Sequence, residues 1–183
     1  MAVPRLMRGA YTPDAVYTAT DGYATKVLQR NWISRGLIRT PVPEPLAGKP
    51  RQYPWLAVAE IALMACASQS GISVSTVSAA MRLRLAQAAK AAGCEDIKNV
   101  EALSPYLPEF HATPNGRRYG WMIDTSPTSD GGAECSGHIP VYLVADGDEI
   151  LARALASGVA VWIGVSDIAL RVEALIGPAP RTK

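Results

Sequence analysis

The chain has 183 residues, 49% of them hydrophobic and 19% charged, with a formal net charge of +2. That length holds one domain or two small ones, and the composition is that of a globular protein rather than a disordered one. No apolar run reaches the ~18 residues of a spanning helix, and Met1 to Ala10 has no apolar core of a signal peptide, so neither membrane insertion nor secretion is expected.

Thr12-Pro13-Asp14 reads as a helix start, with Thr12 as cap, Pro13 in the first turn and Asp14 at the positive end of the dipole. This helix is expected to end near Thr18 or Ala19, before the turn pair Asp21-Gly22. A second helix is expected from about Thr25 to Arg35, stopped by Gly36. Val27, Leu28, Trp32 and Ile33 lie at near-helical spacing and are assigned to the core, with Lys26, Gln29 and Arg30 on the opposite side.

Residues 39–54 contain Pro41, Pro43, Pro45, Pro50 and Pro54, which excludes a helix and argues against a central strand. An irregular two-stranded wing is expected there, with strands near Leu37–Thr40 and Arg51–Tyr53. Trp55 to Gln69 reads as a third helix, apolar on most sides and closed by Gly71. A fourth is expected from Ser73 or Ser75 to about Ala92, with Gly93 as its stop. Its stripe of Val74, Val77, Met81 and Leu85 fits either the chain's own core or a dimer seam, with Arg82, Arg84, Gln87 and Lys90 off the stripe.

Residues 94–116, rich in turn signals, read as a connector. Beyond it, Arg117–Asp124 and His138–Ala145 read as strands around a Gly/Ser-rich loop. A short helix near Asp148–Ala156, a buried strand at Val159–Val165 and a helix from Ser166-Asp167 to Ile176 follow. The expected fold is mainly α with a small β component. A winged helix-turn-helix domain would occupy residues 1–93, and a small α+β module for dimerisation or partner contact residues 117–183.

Charge distribution points toward nucleic acid. Residues 1–60 hold eight Lys/Arg against four Asp/Glu, whereas residues 121–183 hold four against eight. Only the first part would then meet phosphates. In a helix-turn-helix the second helix enters the major groove, which makes Thr25, Lys26, Gln29 and Arg30 candidates for base edges. Arg39, Lys49 and Arg51 flank the proline/glycine loop and are candidates for phosphate contacts.

The order of these features resembles the DNA-binding domain of the MerR family over about residues 11–80. Arg30-Asn31-Trp32 stands in register with Gly36-Leu37-Ile38. Gly48, Arg51 and Tyr53 follow in the family's order with one extra residue, and Gly71-Ile72-Ser73 opens the next helix. Gln29 stands where the family has Leu, with Leu28 displaced by one. The resemblance implies a sequence-specific transcriptional regulator acting as a homodimer on double-stranded DNA, with Arg30, Arg51 and Tyr53 touching mainly phosphates. An antitoxin or phage-type accessory protein, using residues 117–183 to bind a protein partner, is the alternative. A protein-interaction module that does not bind DNA is a third.

Other chemistry finds little footing. Cys66, Cys94 and Cys135 are widely separated and are expected to be reduced in a cytoplasmic protein. Cys135 and His138, even with His111, are too few for a closed zinc site, and three cysteines cannot hold an iron–sulfur cluster. Asp124, Asp130, Glu134, Asp146, Asp148 and Glu149 read as solvated turns and caps. Ser136 beside His138 lacks an orienting partner. No phosphate-cradling glycine loop appears, so neither catalysis nor a cofactor is expected.

Overall fold

The computed structural model describes residue 6 and residues 8–94, 100–111, 119–124, 141–145 and 160–178. Helices α1 (Pro13–Ala19), α2 (Lys26–Ser34), α3 (Trp55–Gln69) and α4 (Val74–Ala91) are followed by two 3-10 helices, Val100–Tyr106 and Pro108–Phe110. Strands β1 (Tyr119–Asp124), β2 (Val141–Ala145) and β3 (Ala160–Ile163) come next, and helix α5 (Val165–Ile176) closes the series. None of the described helices is long and apolar enough to cross a membrane. The fold is mainly helical with a small sheet. The helix expected near Asp148–Ala156 lies outside the described residues, as do Cys135 and His138.

Local signals account for the helix ends. Thr12 Oγ1 accepts the Ala15 N–H at 3.3 Å above α1, and Thr25 Oγ1 accepts the Leu28 N–H at 3.3 Å above α2. Each supplies an acceptor to an N–H that the helix itself leaves unbonded. At the other end of α2, Gly36 donates to Ile33 O and Leu37 to Trp32 O, both at 2.9 Å. That paired closure requires a left-handed residue, and Gly36 sits at φ 62 without the penalty a Cβ would bring. It turns Leu37 back into the core beside the helix it ends.

Helix α3 is the centre of the molecule. A helix apolar on every side has no solvent face to spare, so it must be enclosed. Residues 55–65 are all buried, and α1, α4 and α5 pack around them. Ala57, Ala59, Ala62, Ala65 and Ala67 keep its girth small enough for close approach from several directions. The α4 stripe supplies one neighbour: Val77, Met81 and Leu85 are buried within the chain, so this seam serves the chain's own core.

Two expectations fail here. Residues 37–52 form no strand; the only ladder contact is an isolated antiparallel bridge between Tyr11 and Tyr53. The buried Glu60 carboxylate of α3 takes the role a partner strand would have played, accepting the Arg39 N–H at 2.7 Å and the Thr40 N–H at 2.9 Å.

Nor do residues 94–116 separate two cores. Leu103, Leu107 and Phe110 are buried in one cluster with α3, Trp121 of β1 and Val165, Ala169 and Val172 of α5. The sheet runs β2-β1-β3, with both neighbours antiparallel to β1. Helix α5 lies against α1, α3 and β1. Trp55 Nε1 donates to Gly177 O at 3.3 Å, and Arg171 pairs with Asp21 across the α1–α5 contact.

A buried ion pair binds these parts. Arg84 of α4 meets Glu109 through Nε–Oε1 at 2.8 Å and Nη2–Oε2 at 3.2 Å. Trp121 Nε1 donates to the same Oε1 at 3.2 Å, and Ser166 Oγ of α5 donates to Glu109 O at 3.1 Å. Arg84, expected off the α4 core stripe, is therefore buried with it, at 6% exposure. The geometry is two parallel bonds, the arrangement in which a buried pair best offsets its desolvation.

Candidate nucleic-acid interface

Helix geometry decides which side chains of α2 face outward. Trp32 is buried at 3% exposure and fixes the inner side. Gln29, three residues earlier and about 60° away on the wheel, follows it inward. It is fully buried, and its Nε2 donates to Pro13 O at 3.0 Å and Ala24 O at 2.7 Å. The expectation that Gln29 reads bases is thus corrected: its amide ties α2 to the start of α1. Val27, assigned to the core from the sequence, is 66% exposed.

The outer face consists of Lys26, Val27, Arg30, Asn31 and Ser34, all exposed and at steps of one and four residues. Thr25 is exposed as well, with its hydroxyl engaged in the cap. Lys26 Nζ lies 2.8 Å from Asp14 Oδ1, an exposed pair across the α1–α2 corner. Three members of this face were not among the expected groove contacts: Asn31; Val27, because it is apolar; and Ser34, because it is close to the helix end. Their spacing from Arg30 was the available signal.

Beside this face the loop of residues 41–52 turns through Leu46–Lys49, where the Lys49 N–H reaches Leu46 O at 2.9 Å. Lys49, Pro50, Arg51 and Tyr53 then form one wall of a cleft of about 430 Å³. Thr12, Pro13, Asp14, Lys26, Gln29 and Arg30 form the other. Six of the eight sequence-predicted residues therefore come together: Lys26, Gln29, Arg30, Lys49, Arg51 and Tyr53.

Arg39 does not join them. Its Nε donates to Ser78 Oγ of α4 at 2.9 Å, on the side of the loop clamped by Glu60, so it acts as a structural tether and not as a wing cation. Tyr53 is 2% exposed, which limits it to a wall of the cleft.

Cations outnumber carboxylates in the cleft, Lys26, Arg30, Lys49 and Arg51 against Asp14. Burial pushes the Tyr53 hydroxyl above its ordinary pKa, and Arg51 and then Arg30 oppose that rise, so both guanidinium groups act on one phenol. Arg51 Nη2 lies 3.0 Å from Glu44 Oε2, whose side chain is 85% exposed. Solvent screens such a pair, and the carboxylate can swing away at little cost. Among the described residues Arg30 and Lys49 make no ion pair.

No protein-family model and no curated protein matches the chain. The site is accordingly read from its own chemistry. It offers four cations (Lys26, Arg30, Lys49 and Arg51) and one carboxylate (Asp14) around a cleft next to an exposed helix face about 13 Å long, at ~1.5 Å per residue. His111, weighed as a metal ligand, has Nε2 2.6 Å from Ser104 O and is lowered in pKa by burial. Among the described residues no group of three or more His, Cys, Asp or Glu converges as metal ligands would.

Proposed function

We infer that the chain binds double-stranded DNA as a sequence-specific transcriptional regulator. The outer face of α2 would lie in the major groove, with Lys49 and Arg51 beside a phosphate backbone. What supports this reading is the continuous exposed face of Lys26, Val27, Arg30, Asn31 and Ser34 next to the cationic cleft. An α-helix, ~10–12 Å across with its side chains, fits a groove ~12 Å wide. Arg30 can fork onto guanine O6 and N7, Asn31 onto adenine N6 and N7, and Val27 can meet a thymine methyl. The MerR-like order of motifs agrees, with a proline-rich loop in place of a stranded wing. A homodimer on an inverted repeat would have to pair through a surface other than the α4 stripe, which is enclosed in the chain.

Selection of bound genomic fragments, followed by anisotropy titration at several salt concentrations, tests the reading. Arg51→Ala is expected to weaken binding on all sequences and to reduce the salt slope by about 1. Arg30→Ala is expected to relax preference at one base pair by ~1–3 kcal/mol. A chain that shows no affinity for any duplex at low salt is not a DNA-binding protein.

A further inference from the structure

An apolar side chain in the middle of an otherwise polar helix face needs a physical reason. On α2, Val27 lies about 140–160° around the helix from Gln29 and Trp32, the two side chains that face inward. It is exposed, as are Lys26, Arg30, Asn31 and Ser34 on the same side. Packing within the chain does not account for a valine there, and helix propensity favours other residues. Tyr17 of α1, 46% exposed, stands beside it. Tyr17 and Val27 line one open hollow, with Asp14, Thr25 and Lys26.

The corner that carries this hollow is fixed from inside. The Gln29 amide ties α2 to Pro13 and Ala24. The Tyr17 ring lies over Gly22, where an added Cβ would stand 3.0 Å from the phenol oxygen. Gly22, at φ 81, thus makes the turn between α1 and α2 and leaves room for that ring.

Charges at the rim restrict what the hollow takes. Lys26 Nζ lies 2.8 Å from Asp14 Oδ1, so ammonium and carboxylate offset each other and leave no surplus for a phosphate. A base edge suits it better. Thymine shows the major groove a 5-methyl group next to O4, an acceptor. The methyl fits against Val27 and the Tyr17 ring. An ammonium has three donors, of which Asp14 takes one, so Lys26 can also reach O4. Cytosine offers a donor in place of O4 and no methyl.

We propose that Tyr17 and Val27 form the seat for the 5-methyl group of one thymine in the recognised duplex, with Lys26 on its O4. The seat lies one helix turn ahead of Arg30 and Asn31, and it adds α1 to the reading surface. The inference rests on the duplex reading given above, and it names a base that both helices select.

The test replaces thymine by deoxyuridine, one position at a time, in the duplex obtained by selection. Deoxyuridine pairs as thymine does and lacks only the methyl. Anisotropy titrations of the full chain are expected to show one position where affinity falls about fourfold, the worth of one buried methyl. In Val27→Ala, thymine and deoxyuridine at that position are expected to bind alike. Alanine suits an exposed helix face, so this variant keeps its fold. Tyr17→Phe retains the ring and is expected to retain the difference, whereas Tyr17→Ala is expected to reduce it.

Duplex binding indifferent to every replacement overturns the proposal and leaves the DNA reading standing. A sensitive position that persists in Val27→Ala does the same, because the methyl then meets another side chain. An unchanged difference in Tyr17→Ala removes α1 from the seat. No affinity for any duplex overturns both readings together.

Discussion

Gln29 and Trp32 stand three residues apart on α2, and the geometry of a helix sends them the same way. Polarity argued for the opposite assignment, since a glutamine beside an arginine suits a groove-reading face. The burial of Trp32 outweighs it, because the amide nitrogen finds two backbone carbonyls inside. The same geometry sends Val27 outward, where an apolar side chain was not expected. Replacing Gln29 by Leu keeps the volume but strands the Pro13 and Ala24 carbonyls, at a cost of ~1–3 kcal/mol. Chemical denaturation is expected to register that loss, while fragments selected by the variant keep the base preference of the parent. A shifted preference at unchanged stability would return Gln29 to the groove.

At the scale of elements, the helices were legible because their signals are local. Thr12, Pro13, Thr25, Gly36, Gly71 and Gly93 each act within a turn of where they stand, and every predicted helix among the described residues appears within a few residues of its expected bounds. The wing was not legible, because strand pairing depends on what lies across from a segment. Leu37–Thr40 finds the carboxylate of Glu60 instead of a strand.

That clamp has a pH signature. Burial raises Glu60 from 4.5 to about 6, against the opposing pull of the Arg39 and Thr40 N–H groups. The folded state therefore holds its proton more tightly than the unfolded one. The resulting stability is fully present below pH 4.5 and is lost as pH rises through about 6. At ~1.4 kcal/mol per unit, this amounts to ~1–2 kcal/mol. Urea unfolding at intervals across that window is expected to show the decline in the parent and not in Glu60→Gln. Parallel profiles for the two would remove Glu60 as its source.

For the whole molecule, the decisive misreading was the connector. Pro105 and Pro108 signal turns, and turns were taken for a boundary. Yet Leu103, Leu107 and Phe110 recur at steps of four and three, the spacing of a buried face even in a chain too broken for an α-helix. Composition cannot tell a linker from a short packed segment; burial can. Phe110 and Trp121 meet edge to face at 6.1 Å, and Glu109, which accepts from Trp121, anchors Arg84 of α4 and, through its backbone, Ser166 of α5. Two separate modules would melt separately. This arrangement is expected to melt as one cooperative unit, with calorimetric and van't Hoff enthalpies in agreement. Glu109→Ala leaves the guanidinium of Arg84, 7% exposed, without its anion. It is expected to cost ~3–5 kcal/mol, lowering the midpoint of the single transition. The double variant Arg84→Met, Glu109→Leu removes both charges and is expected to cost less than Glu109→Ala alone. Two resolved transitions in the parent, or a double variant as unstable as the sum of its singles, would restore the boundary at residues 94–116.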